Sequence, residues 1–162
     1  MKSMLRTGVL AVSTLALGLA FVPVASADPV QTVAYTSEDG AWPLQGSAQY
    51  TAPGDEIAVW EYNGVLKIDV QSGLKDLRVE LSAPAGETLH TGTYTGARFR
   101  GQSDPALTTP GVFVVTGNWG CSDAYADFTI DRLDASGVDV TFVQRCGAPD
   151  APATHGEVHF TA

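Results

Sequence analysis

The chain alternates hydrophobic and polar residues over short stretches that are separated by turn residues. The clearest example is EIAVWEYNGVLKIDV, in which Asn63-Gly64 divides two alternating runs. Asn-Gly is the strongest two-residue hairpin signal, so this stretch predicts antiparallel strands that pair Tyr62 with Val65 and Trp60 with Lys67. One face of the hairpin is hydrophobic and is predicted to join the core: Ile57, Val59, Leu66, Ile68 and Val70. The other face is mixed: Ala58, Trp60, Tyr62, Val65, Lys67 and Asp69.

The same alternation predicts further strands in LRVELSA, GTYTGARFR, VFVVTGNW, ADFTIDRL, VDVTFVQRC and GEVHFTA. SDPALTTPG predicts a loop, and DASG predicts a type I turn closed by a left-handed Gly137. No stretch shows a convincing helical repeat of 3.6 residues. About eight or nine strands with frequent turns predict an all-β fold, an antiparallel β-sandwich, with a β-barrel as the alternative. We expect one domain over residues 28–162.

The first 27 residues have the pattern of a secretory signal peptide. Lys2 and Arg6 precede the apolar run GVLAVSTLALGLAFVPV, and Ala25-Ser26-Ala27 is a small-x-small cleavage pattern. The alternative is an uncleaved membrane anchor, but the run is short and is interrupted by glycine and proline. We therefore expect a mature protein that starts at Asp28 and is secreted, either extracellular or at the cell envelope.

The charge of the chain narrows the range of partners. The sequence has 18 acidic and 9 basic residues, a formal net charge of −9 at pH 7. Removal of residues 1–27 takes away two bases and no acid, which leaves a net charge of about −11. Such a chain is not expected to bind nucleic acid or anionic membrane surfaces. No second apolar stretch is long enough to span a bilayer, and we expect a soluble monomer.

Two cysteines, Cys121 and Cys146, are predicted to form one disulfide, as pairs in exported proteins most often do. If the strands at 112–119, 126–133 and 138–146 form a meander, the turn that holds Cys121 lies at the same end as Cys146. A reactive thiol is the alternative, but the chain has no C-x-x-C motif and no cation-rich neighbourhood for one.

SAPAGETLHTGTYTGARF, PGVFVVTGNWGC, ADFTI, VTFVQRCG and HGEVHF resemble the motifs of a family of small exported bacterial domains. The resemblance covers most of residues 36–160. Gly92, Tyr94, Ala97 and Arg98 match its tyrosine-strand element, although Arg98 follows Ala97 directly here. CGAPDAPATHG also departs from the more acidic, glycine-rich turn of the family. The family has no assigned activity, so the resemblance implies a disulfide-linked β-sandwich and a binding or structural module rather than an enzyme.

Aromatic residues on the mixed hairpin face are the leading candidates for a binding site. Trp60 and Tyr62 lie side by side there, next to Lys67 and Asp69. Flat aromatic rings bury the C–H face of a sugar while polar neighbours bind its hydroxyls. Trp119 and Tyr125, near Cys121, are candidates for a second platform. The alternative is that Trp60 is covered by another part of the fold and belongs to the core.

A calcium site is a weaker candidate. Strand alternation places Asp127, Asp131 and Asp139 on one polar face, where carboxylate oxygens are suitable Ca²⁺ ligands. No D-x-D-x-D-G loop is present, however, and Arg132 and Arg145 are close enough to neutralise the acids. A solvated acidic face is therefore the default interpretation, and no other cofactor is expected.

No motif predicts an enzyme. The chain lacks a G-x-S-x-G elbow, and His155 and His159 are expected to lie about 13 Å apart on a strand. The sequence therefore predicts a secreted, non-enzymatic binding or interaction module, with carbohydrate or cell-wall polymer as the favoured ligand. The alternative is a structural or protein-interaction domain, for example a secreted inhibitor, with no small ligand.

Overall fold

A computed structural model describes residues 31–101 and 108–162. The predicted signal peptide and most of the predicted loop at 103–111 lie outside these residues. Within the described ranges, no helix is long and apolar enough to cross a membrane.

The described residues form eleven strands and no helix. In chain order they are β1 (Thr32–Ser37), β2 (Ser47–Thr51), β3 (Glu56–Tyr62), β4 (Val65–Ser72), β5 (Lys75–Ser82), β6 (Gly92–Phe99), β7 (Gly111–Thr116), β8 (Trp119–Gly120), β9 (Ala124–Asp134), β10 (Gly137–Cys146) and β11 (Ala153–Thr161).

The strands belong to one sheet with the order β2-β1-β11-β10-β9-β6-β7-β5-β4-β3, and β8 pairs with β7. All pairings are antiparallel except a short parallel contact between β6 and β7. The strands at the two ends of this order, β2 and β3, are consecutive in the chain, so residues 52–55 bring the ends of the sheet together. The all-β prediction is confirmed, and the sheet is nearly closed and barrel-shaped, which is the form named above as the alternative to a sandwich.

The β3–β4 hairpin forms as its sequence predicts. Asn63 and Gly64 both have positive φ, 52° and 73°, as a type I′ turn requires. Trp60 pairs with Lys67, and Tyr62 pairs with Val65. The hydrophobic face of the hairpin points into the barrel, where Leu66, Ile68 and Val70 are almost fully buried.

The barrel interior is filled by side chains, and aromatic rings form one of its layers. Tyr94 on β6 stacks on Phe128 of β9, with ring centroids 4.6 Å apart. Phe128 is paired with Phe142 on β10, which is in turn paired with Gly156 on β11. The ring of Phe142 occupies the space in which a side chain on Gly156 would begin. The absence of a side chain at this position therefore makes room for the ring.

The predicted disulfide between Cys121 and Cys146 is confirmed, with a Cα–Cα distance of 5.7 Å. The meander used to predict it is only partly right, since β9 and β10 pair but β7 is not beside β9. The chain after β7 instead folds back on β7 as the short strand β8, and β6 takes the place next to β9. The predicted strand VFVVTGNW is divided, since β7 ends at Thr116 and Trp119 begins β8 after a turn. Strands β1 and β2 were not among the predicted strands.

Candidate binding groove

Trp60 lies on the outer face of the barrel, the side of the sheet that points away from the interior. Its side chain is 40% exposed, so it is not a core residue. The alternation of β3 causes this placement, because Ile57 and Val59 point inward and Trp60 therefore points outward. Tyr62, on the same face, is 63% exposed.

Strands β4, β5 and β7 extend this outer face in register with β3. Ala58, Asp69, Arg78 and Val115 lie opposite one another in one row across the four strands, and Gly120 of β8 continues the row. On one side, the neighbouring row is Trp60, Lys67, Glu80 and Phe113. On the other side it is Glu56, Gln71 and Asp76.

These rows enclose a groove of ≈ 610 Å³ on the outer face. Trp60 lies at the β3 end, and the other end is formed by Gly117 and Asn118 of the β7–β8 turn and by Gly120 of β8. Four strand spacings separate β3 from β8, a length of about 19 Å. The volume falls in the range of small-ligand sites, and the length suits an extended ligand rather than a compact one. The remaining lining residues are Glu56, Ala58, Asp69, Val70, Gln71, Asp76, Leu77, Arg78, Phe113 and Val115.

A forked ion pair lies in the floor of the groove. Arg78 donates from Nε to Asp69 Oδ1 at 2.6 Å and from Nη2 to Asp69 Oδ2 at 3.0 Å. The hydrogen bonds from Arg78 to the Asp69 carboxylate raise the pKa of the guanidinium above its ordinary value. The two side chains fix each other, so the floor presents an ordered set of donors and acceptors.

The β7–β8 turn is held to the groove by Asp76. The Gly117 amide donates to Asp76 Oδ1 at 2.9 Å, and the Thr116 hydroxyl donates to the Asp76 carbonyl at 2.8 Å. Gly117 has a φ of 56°, which glycine adopts without strain. Asn118 is therefore presented at a defined position at this end of the groove.

Lys67 is next to Trp60, as the hairpin register predicts, but its ammonium is already engaged. Lys67 Nζ lies 3.2 Å from Glu80 Oε1, and Glu80 is only 3% exposed. Because a buried carboxylate needs a partner, we assign Lys67 to neutralising Glu80 rather than to contacting a ligand.

Trp119 and Tyr125 do not form one aromatic platform. Trp119 is 62% exposed and packs edge-on against Trp42, with ring centroids 5.5 Å apart. Tyr125 is half-buried, and the Arg98 guanidinium lies 3.5 Å from the centre of its ring. The two predicted residues therefore belong to separate local clusters, and neither lines the groove at Trp60.

The three candidate calcium ligands lie on the outer face, as alternation predicts. Asp131 and Asp139 line one depression, but Asp127 lies apart from them. Asp127 accepts a hydrogen bond from the Gly96 amide at 2.8 Å. Asp139 accepts from Arg132 at 2.8 Å and also contacts His159. Asp127 is paired with Val143 on β10, four positions after Asp139. Asp127 and Asp139 therefore lie about 13 Å apart along the strand direction. Among the described residues, no group of three or more His, Cys, Asp or Glu side chains is placed to hold a metal ion.

A second depression, of ≈ 420 Å³, lies over β1, β11, β10 and β9. Its exposed lining includes Thr36, Asp127, His155 and Glu157, and its rings belong to residues whose side chains point into the barrel. It lacks an exposed tryptophan, so the groove at Trp60 is the better candidate for a binding site.

The comparisons with known proteins give no match: no family model, no curated protein and no solved structure matches the chain. The resemblance to small exported bacterial domains stays a prediction.

Several groove residues were not predicted as site residues. Arg78 could have been found, because alternation in LRVELSA places it on the polar face and a β4–β5 hairpin brings it opposite Asp69. Phe113 gave no such signal, since it reaches the groove only through the pairing of β5 with β7. Trp42, the partner of Trp119, comes from the distant β1–β2 connection and was missed for the same reason.

Proposed function

We propose that this protein is a secreted, non-enzymatic binding module whose groove at Trp60 takes an extended carbohydrate, such as a cell-wall polymer. The exposed indole of Trp60 at the end of an elongated polar groove is the observation that carries the proposal. A sugar ring stacked on the indole would bury C–H surface, and Asp69, Arg78 and Gln71 would bind hydroxyl groups.

The size of the Trp60 contribution follows from its exposed surface. A tryptophan side chain has about 250 Å² of surface, so the 40% that is exposed amounts to about 100 Å². Covering half to all of that area at about 25 cal/mol per Å² stabilises a complex by about 1–2.5 kcal/mol. Trp60→Ala should therefore weaken binding by about 5- to 70-fold.

A polysaccharide pull-down tests this proposal. The protein from residue 28 to residue 162 is incubated with insoluble cellulose, chitin, starch and peptidoglycan, and the retained fraction is measured for the wild type and Trp60→Ala. Retention on at least one polymer, lost in Trp60→Ala, is the expected result. Trp119→Ala is the matched control, because it removes an indole that is more exposed than Trp60 and does not line the groove.

Two outcomes would contradict the proposal. Retention of Trp60→Ala at the wild-type level would show that the groove is not the binding site. An equal loss of retention in Trp60→Ala and Trp119→Ala would show that exposed indoles adsorb to the polymer non-specifically.

The region around Cys121 favours a second candidate function, binding to another protein in the manner of a secreted inhibitor. Its turn presents Trp119 to solvent and is held rigidly by the disulfide and by an ion pair of 2.7 Å between Arg98 and Asp123. A rigid, exposed aromatic residue is typical of protein-binding loops. The test measures inhibition of a panel of extracellular proteases. Inhibition that is lost in Trp119→Ala would support this candidate. Equal inhibition by the wild type and Trp119→Ala, or no inhibition by either, would reject it.

A further inference from the structure

The charges in the groove are not balanced. Arg78 is its one cationic lining residue among those described, and both of its hydrogen bonds to carboxylate go to Asp69. Glu56 and Asp76 also line the groove, and in the described part of the chain neither has a Lys, Arg or His within ion-pair distance. The carboxylate of Glu56 and the Oδ2 atom of Asp76, whose Oδ1 accepts from the Gly117 amide, therefore remain to interact with a bound ligand.

These two carboxylates line the same groove as Trp60. Glu56 and Asp76 belong to one row, on either side of Gln71, and two strand spacings put them about 10 Å apart. Glu56 is four residues before Trp60 on the same face of β3, a distance of about 13 Å along the strand. A chain of sugars that stacks one ring on Trp60 and fills the groove toward the row of Glu56, Gln71 and Asp76 would bring a substituent of another ring to the carboxylates.

Resting on the proposed carbohydrate-binding function, we propose that the groove selects a polysaccharide that carries protonated amino groups, a polymer of deacetylated hexosamine. Each ammonium group has three donors, and Glu56, Asp76 and the amide oxygen of Gln71 are acceptors in one row. Polyanionic polymers are disfavoured because their carboxylates or phosphates would face two uncompensated negative charges.

The test compares binding to chitin and to partly deacetylated chitin at about pH 5.5, where the amino groups of the deacetylated polymer are protonated. We expect the wild type to bind the deacetylated polymer about three- to tenfold more tightly than chitin. The isosteric double variant Glu56→Gln/Asp76→Asn should bind the two polymers with equal affinity, because it removes both charges. Trp60→Ala should bind both polymers more weakly.

The control must separate a local effect from the overall negative charge, which attracts any polycation. Glu87→Gln/Asp150→Asn removes the same charge from two exposed positions outside the groove. This control should keep the preference for the deacetylated polymer. An equal loss of preference in both double variants would overturn the inference, because net charge alone would then explain the effect.

The remaining outcomes are also decisive. Binding to chitin without any preference for the deacetylated form would overturn this inference and leave the proposed carbohydrate-binding function standing. Tighter binding to a polyuronate than to deacetylated chitin would overturn it too. Failure to bind any of the polymers would overturn the inference together with the proposed function.

Discussion

Gly156→Ala is expected to destabilise the barrel because the new Cβ would occupy the space of the Phe142 ring. The nearest ring atoms, Cζ and Cε1 of Phe142, would overlap with the new methyl group, and Cε2 would lie 2.8 Å away. Phe142 is 3% exposed and belongs to the aromatic layer of the interior, so its ring has little room to move. The clash must therefore be relieved by side-chain or backbone displacement.

The magnitude is the balance of two effects. Overpacking of a well-filled core costs about 1–3 kcal/mol. Replacing glycine by alanine reduces the entropy of the unfolded chain, which offsets about 0.4–1 kcal/mol of that cost. We expect Gly156→Ala to lower the free energy of unfolding by about 1–2 kcal/mol and the Tm by about 4–8 °C.

A double-mutant cycle, measured by urea denaturation, tests the cause. Phe142→Leu removes the clashing ring atoms and costs about 1–2 kcal/mol by itself, because it leaves a cavity. If the ring is the obstacle, Gly156→Ala adds little cost in the Phe142→Leu background, and the coupling energy is about 1 kcal/mol or more. Strict additivity of the two changes, or a cost of Gly156→Ala below about 0.5 kcal/mol, would refute the reasoning.

The structure also predicts how three further sets of substitutions change the stability of the fold. The double variant Cys121→Ala/Cys146→Ala opens a loop with a sequence separation of 25 residues. The free energy of unfolding should fall by about 3.5 kcal/mol in the chain-entropy model, and a loss below about 1 kcal/mol in urea denaturation would contradict it. Lys67→Met leaves the buried Glu80 carboxylate without its cation and should cost about 1–3 kcal/mol. Glu80→Gln should cost less, since Lys67 is partly exposed and can reach water; the opposite order in thermal denaturation would refute this. Hydrogen bonds from the following turn lower the pKa of the Asp134 carboxyl below its ordinary value of 3.8. The Asp134 carboxylate therefore stabilises the fold at pH values above 3.8, and this contribution is lost as the pH falls through the lowered pKa. Asp134→Asn should accordingly make the Tm less dependent on pH in the acid range.

The parts of the fold that local sequence determines could be predicted well. Asn63-Gly64 fixed both the turn type and the register of the β3–β4 hairpin, because both residues tolerate positive φ. The turn at 134–137 likewise placed β9 next to β10. In both cases the pattern and its structural result lie within about 15 residues of each other.

Strand order between distant segments could not be predicted in this way. The insertion of β6 between β9 and β7 depends on packing such as the Tyr94–Phe128 stack, which joins residues 34 positions apart. Alternation shows which face of a strand is buried but carries no information about which strand is its neighbour. For the same reason, alternation cannot distinguish two stacked sheets from one curved sheet.

The difference between local pattern and strand order explains why only one end of the candidate groove was predicted. Trp60 and its hairpin neighbours come from one local motif, whereas the opposite end of the groove comes from β7 and the β8 turn, about 55 residues later in the chain. The barrel brings these segments together and also fills its own interior with aromatic rings, so the largest concave surface at a tryptophan lies outside. Because the groove side chains are held on paired strands, by the Arg78–Asp69 fork and by the Asp76 contact to Gly117, the groove should change little when a ligand binds. Its affinity should then depend on the matched contacts themselves, which is why single substitutions at Trp60 and Glu56 can separate stacking from charge selection.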